Sequence, residues 1–144
     1  MRLTTTIESV RWLNLQAYTF RGHDESSASN NRGKFLEMLR LMGRLNVDID
    51  DVVLEKASKN AKYTSPTIQK EILHILVNKV RKKICEEVKD AKFCILVDKA
   101  KGVSNKEQIT IVLKFVDIQG FVRERFFYIV YISDTTSSTI KKKL

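Results

Sequence analysis

A run of five apolar residues, Phe93-Cys94-Ile95-Leu96-Val97, ends on an acid, Asp98. A short continuous apolar stretch of this kind marks a strand covered on both faces. A carboxylate at the end of such a strand is held rigidly. Two or three of them can hold paired divalent metals for phosphodiester chemistry, whereas one alone cannot build that site. The residues that follow, Lys99-Ala100-Lys101-Gly102, supply cations and a glycine, a field unfavourable to a metal ion. Taken by itself, Asp98 reads as an exposed strand-end carboxylate or a helix-cap partner.

The second chemical feature is positive charge. Lys and Arg total 26 against 17 Asp and Glu, a formal net charge of +9. That excess attracts phosphate backbones through counterion release. It also suits anionic membrane surfaces and acidic proteins, and it carries no sequence specificity. The cations that could meet phosphate are Lys79, Arg81, Lys82 and Lys83 on a helix, with Lys99 and Lys101 beside Asp98. A basic helix face is otherwise a solvated surface.

Other chemistries find little support. Cys85 and Cys94 are the two cysteines, fitting free thiols in a reducing compartment, and they read as small buried hydrophobes. His23 lies in a polar loop and His74 within a helix, a spacing that does not suggest a zinc site. Ser104 and Ser137 have no histidine in a predictable partnership, so no hydrolase triad emerges. Gly22 and Gly33 do not form a phosphate-binding glycine cluster. No cofactor is expected. The start of the chain lacks the apolar stretch of a signal peptide, and no segment approaches the ~20 apolar residues of a membrane span. The expected location is the soluble interior of the cell, not the secretory route.

The elements that position these groups change character along the chain. Ile7, Val10, Trp12, Leu13, Leu15 and Tyr18 predict a helix over about 4–20, with Thr4 to Thr6 able to cap it and Trp12 and Tyr18 packed inside the helical region. Arg21 to Asn31 reads as an exposed loop. Phe35, Leu36, Met38, Leu39 and Met42 form the buried side of a second helix over 33–45, and Asp48 or Asp50 could cap a short helix over 49–58. Ser65-Pro66 opens the clearest helix, which runs to near Asp90. Strands follow at 93–97, 108–117 and 121–132, the last two joined by a turn at Asp117-Ile-Gln-Gly120. Arg123 to Arg125 should lie near solvent and Phe126 to Ile132 should enter the core. A polar turn at 102–105 and a final helix capped within Asp134 to Ser138 complete the reading. The fold class is α+β, with a helical region at 1–90 and a sheet segment at 91–144.

Two stretches are dense enough to suggest kinship. One is Phe20-Arg-Gly-His-Asp-Glu-Ser with Asn31, Gly33 and Phe35-Leu-Glu-Met38 after it. The other is Cys94-Ile-Leu-Val-Asp98 with Val103-Ser-Asn-Lys-Glu-Gln108 and the hairpin arm from Gly120 to Phe126. Together they resemble the plant TTF-type zinc-finger, hAT-dimerisation proteins, transposase-derived relatives of the zinc finger MYM-type proteins that carry the DUF4371 domain. The resemblance runs from about Thr6 to Leu144. It implies a ribonuclease H-like core preceded by helices, of which this chain holds the first three antiparallel strands. It also implies that Asp98 matches the first of three catalytic acids, here vestigial because the other two would fall beyond Leu144. Where members of the family usually continue Asp-Glu-Ala-Arg-Asp, this chain has Asp98-Lys-Ala-Lys-Gly102.

The function expected on these grounds is a noncatalytic, amino-terminal fragment of a domesticated hAT-type transposase, located in the nucleus, with weak binding to DNA without sequence preference or to related transposase-like proteins. Two alternatives stand beside it. One is a metal-dependent nuclease or transposase that takes its missing acids from another chain; the other is a basic protein-interaction domain. A sheet cut short would leave Phe93 to Val97 on an open apolar edge and Phe126 to Ile132 prone to aggregation.

Overall fold

The computed structural model describes residues 1–58, 62–101 and 107–132. The expected turn at 102–105 and the final helix from Asp134 lie outside the described residues. The rest is helices followed by a three-stranded antiparallel sheet, the α+β order read from the sequence. The chain forms two compact units, Met1–Asn78 and Lys79–Leu144.

The first unit holds α1 (Arg2–Leu15), α2 (Lys34–Leu45), the single-turn α3 (Val47–Asp50), a 3-10 turn (Leu54–Lys56) and the first half of α4 (Pro66–Val88). Val10, Leu13, Phe35, Leu39, Val53, Leu54 and Ile72 meet in its core. Helix α1 begins two residues earlier than the threonines suggest, with Met1 at its cap position. Thr5 and Thr6 are buried in the helix instead of capping it, and the Thr5 hydroxyl donates to the Met1 carbonyl at 3.1 Å. The region expected to be one short helix over 49–58 is split. Asn46 caps α3, accepting from the Ile49 amide at 3.3 Å, and Leu54 at φ 51° starts the separate 3-10 turn. Trp12 and Tyr18 are not packed inside; both are nearly half-exposed, because Val10 and Leu13 hold the core face of α1.

Helix α4 starts as its sequence dictates. The Ser65 hydroxyl accepts from the Ile68 amide at 3.3 Å, one residue before Pro66 opens the first turn. The boundary between the two units falls within this helix, after Asn78 and ten residues before it ends at Val88. No described helix is long and apolar enough to cross a membrane.

In the second unit, β1 (Phe93–Lys101), β2 (Glu107–Val116) and β3 (Val122–Ile132) form a sheet in the order β1-β2-β3. Ile109, Ile111, Leu113 and Phe115 alternate to one face of β2 and are buried there; Leu113 and Phe115 pack against Ile84 and Val88 of α4. The turn between β2 and β3 is locked by Asp117, whose carboxylate accepts the amides of Gln119 and Phe121 at 2.9 Å each, while Gly120 takes φ 85°.

Two expectations about the sheet fail. Phe93 to Val97 is not covered on both faces: among the described residues β1 pairs with β2 alone, and Phe93, Ile95, Leu96 and Val97 stay 43–53% exposed. Phe126, Ile129 and Tyr131 of β3 do not enter the core either, because they lie on the sheet face opposite α4. A bulge at Phe127 explains part of this. Val112 pairs with Phe126 and Ile111 with Tyr128, so one extra residue interrupts the alternation and turns Tyr128 and Val130 to the helix side.

Candidate nucleic-acid interface and the acid of the first strand

Lys79, Lys82 and Lys83 lie three and four residues apart on α4 and are all exposed, so they share one outward face. Lys83 is 3.5 Å from Glu86; Lys79 and Lys82 make no ion pair among the described residues. Arg81 is placed differently. It sits three and seven residues before Ile84 and Val88, on the stripe that packs against the sheet. Its Nε donates to the Phe127 carbonyl at 3.2 Å, and its guanidinium lies 4.2 Å from the centre of the Tyr128 ring. The bulge that exposes the Phe127 carbonyl therefore also sets the ring beneath the cation. Arg81 clamps helix to sheet, and Lys79, Lys82 and Lys83 are the helix cations that face solvent.

Two β1 cations complete the set read from the sequence. Lys99 pairs with Glu107 across the β1–β2 ladder at 2.9 Å. Lys101 ends β1, with its side chain outside the described residues. A second helix-to-sheet tie, this one an ion pair, had no signal in the sequence: Arg125 donates to both carboxylate oxygens of Glu87, at 2.6 and 2.9 Å. That hydrogen bonding holds the Glu87 carboxyl below its ordinary value of 4.5. The Arg123 side chain, at 2.6 Å, likewise holds Asp117 below its ordinary value of 3.8.

Asp98 does not end its strand, since β1 runs on to Lys101; it is exposed on the face of β1 away from α4, paired in register with Thr110, which in turn pairs with Ile129. Its same-face neighbours along β1 are Leu96 and Ala100. Glu107 stands on the opposite face, occupied by Lys99. Among the described residues no group of three or more His, Cys, Asp or Glu comes together in a way that could hold a metal. A metal pair of the ribonuclease H type needs several convergent carboxylates. The donor set around Asp98, a hydroxyl and aliphatic side chains, does not fit one.

A groove of about 600 Å³ runs beside α4, with Phe93, Ile95, Ile111 and Leu113 as its floor and Cys85, Val88 and Lys89 on its helix wall. Cys85 and Cys94 are both exposed, correcting the expectation of buried thiols. Cys85 lines the groove from α4, and Cys94 lies on the sheet face opposite the groove.

The dense motif near residue 20 turns out to be a clasp. Asp24 accepts from the Ser26 amide and hydroxyl at 2.9 and 3.1 Å, Arg21 pairs with Glu25 at 3.4 Å, and the Asn31 side chain accepts from the Gly33 amide at 3.1 Å. The Phe35 amide donates to the Phe20 carbonyl at 3.0 Å, bringing the two rings to 6.4 Å. Gly22 and Gly33 touch backbone to backbone. These residues close a loop onto α2.

The family model for DUF4371, described as the ZMYM1/FAM200, RNase-like domain, matches residues 1–144. The chain belongs to this family, and helices followed by an antiparallel three-stranded sheet are consistent with part of an RNase-like domain. No solved structure matches the chain.

Proposed function

We propose that this chain is a noncatalytic, hAT-transposase-derived domain that acts in the nucleus by holding nucleic acid without sequence preference through the outer face of α4. The observation that carries the reading is the division of labour among the cations. Arg81, Arg123 and Arg125 are bound into the protein, while Lys79 and Lys82 project from one helix face without a carboxylate partner among the described residues. Flexible, hydrated ammonium groups in that arrangement suit phosphate contacts that do not read bases. The solitary setting of Asp98 supports the noncatalytic part.

Fluorescence anisotropy of a labelled duplex against the full chain, across a salt series, tests this. Binding should weaken steeply with salt, and the triple substitution Lys79→Glu, Lys82→Glu, Lys83→Glu should abolish it while the circular dichroism spectrum stays unchanged. Magnesium-dependent cleavage lost in Asp98→Ala would replace the reading with a nuclease that completes its site from another chain. An absence of binding at low salt would point instead to a basic protein-interaction domain.

A further inference from the structure

Two aromatic rings lie on the surface of the first unit, beside cations. Trp12 and Tyr18 are 46% and 47% exposed, with ring centroids 6.0 Å apart and planes inclined at 52°. The Lys34 ammonium lies 4.0 Å from the centre of the Tyr18 ring. Two grooves share this ring. One, of about 470 Å³, is lined by Trp12, Tyr18, Lys34 and Arg44 among others; the second, of about 630 Å³, by Tyr18, Arg21 and Lys70. All four cations are exposed. Lys34, Arg44 and Lys70 make no ion pair among the described residues, and Arg21 meets Glu25 at 3.4 Å. Glu37, the one acid lining either groove among the described residues, is paired with Arg40 at 3.3 Å.

We propose that these grooves bind single-stranded nucleic acid, with an unpaired base stacked on Trp12 and the flanking phosphates following the cations. The site belongs to the first unit alone and does not rest on the lysines that α4 contributes to the second. Lys34 takes one face of Tyr18, which leaves Trp12 as the stacking platform and sets an ammonium close by for the adjoining phosphate. Lys34 and Arg44 stand ten residues apart on α2, about 15 Å at 1.5 Å per residue, which is the span of several stacked nucleotides. Charge selects the ligand class. A methylated ammonium, another guest of paired aromatic rings, would be repelled by Lys34 and Arg44. An aliphatic helix would fill the grooves without using the cations. A duplex keeps the faces of its bases stacked on one another, so it has none to offer the indole. An unpaired strand supplies both a free base face and a row of phosphates, matching an exposed ring with cations on either side.

Trp12 is the only tryptophan of the chain, so its emission reports on this site directly. Titrating the full chain with a short oligothymidylate should quench that emission saturably, and added salt should reverse the quenching. A strand of equal length built from abasic sugars carries the same phosphates, and should bind more weakly and quench little. The quenching should persist in the chain carrying the Lys79→Glu, Lys82→Glu, Lys83→Glu substitution, which separates this site from the face of α4. In that same background, anisotropy of the labelled oligothymidylate should show Trp12→Ala weakening binding about tenfold, while Trp12→Phe, which keeps a stacking face, loses much less. Lys34→Gln together with Arg44→Gln should flatten the salt dependence. An unquenched Trp12 at low salt, equal quenching by the abasic strand, or unchanged affinity in Trp12→Ala would each overturn the proposal. Quenching by polyglutamate as strong as by the oligothymidylate would overturn it in favour of an acidic protein segment.

Discussion

Two glycines with positive φ show how much a single Cβ can cost when its surroundings differ. At Gly33, φ is 96° and an added Cβ would stand 2.1 Å from the Gly22 amide nitrogen, inside backbone that cannot move aside. Gly33→Ala should therefore destabilise the first unit by about 3 kcal/mol, combining conformational strain with a backbone clash. At Gly120, φ is 85° but nothing lies within 4 Å, so Gly120→Ala should cost only ~1 kcal/mol, the price of a left-handed alanine. Urea titrations of the two variants, compared with the parent, measure the difference. Arg81 gives a second prediction at this scale. Arg81→Ala removes a hydrogen bond and a cation–aromatic contact together, and should lose about 2 kcal/mol of stability. Arg81→Lys should recover less than half, because an ammonium cannot reproduce the planar fork and its stacking. The sequence reading set Arg81 with Lys79, Lys82 and Lys83 on the solvated face, although its spacing from Ile84 and Val88 made the clamp partly legible. The ring beneath it was not, because a bulge in β3 decides which of three consecutive aromatics, Phe126, Phe127 or Tyr128, faces the helix.

At the scale of elements, local chemistry foretold the structure wherever it acts over a few residues. Ser65-Pro66 starts α4, the alternating apolar side of β2 is buried, and the Asp117 to Gly120 turn forms as composition suggests. Burial of β1 and of the end of β3 was misread for a different reason. A run of apolar residues reports a tendency to leave water, and whether it does so depends on how many strands and helices surround it. The β2–β3 turn and the α4–β3 contact share a dependence on carboxylates held below their ordinary values by Arg123 and Arg125. A depressed folded-state value contributes stability that is full above the unfolded values of 3.8 for Asp117 and 4.5 for Glu87, and that is lost as pH falls through the lower folded values. The midpoint of thermal unfolding should accordingly hold level through mild acid and drop below those values. Asp117→Asn, which keeps a side-chain oxygen for the turn amides, should lower the plateau and flatten the acid limb.

For the molecule as a whole, the sheet face away from α4 decides behaviour in solution. Phe126 is 57% and Tyr131 65% exposed there, in a β-prone and uncharged stretch. Replacing both by Thr should raise the concentration at which the chain stays clear, while unfolding stability changes by no more than ~0.5 kcal/mol, as for other surface positions. Light scattering during concentration, beside a urea titration, checks both halves of the prediction. The loop clasp and the exposed lysines of α4 tell against any simple ranking of motifs by density. The most recognisable stretch of this chain closes a loop, and the surface that could meet nucleic acid is spelled in ordinary lysines.

Helix α4 runs unbroken through the point where one compact unit gives way to the other. Modules usually end in linkers, where a gene can be spliced or a protease can cut without harming either side. Here a cut between Asn78 and Lys79 would leave two raw helix ends, one losing its last turns and the other its first, with the hydrogen bonds across the cut lost to both. Either unit, to be expressed or transplanted alone, must take the whole of Ser65 to Val88 with it. Recombination at the border between Asn78 and Lys79 would therefore break the helix whichever unit is kept.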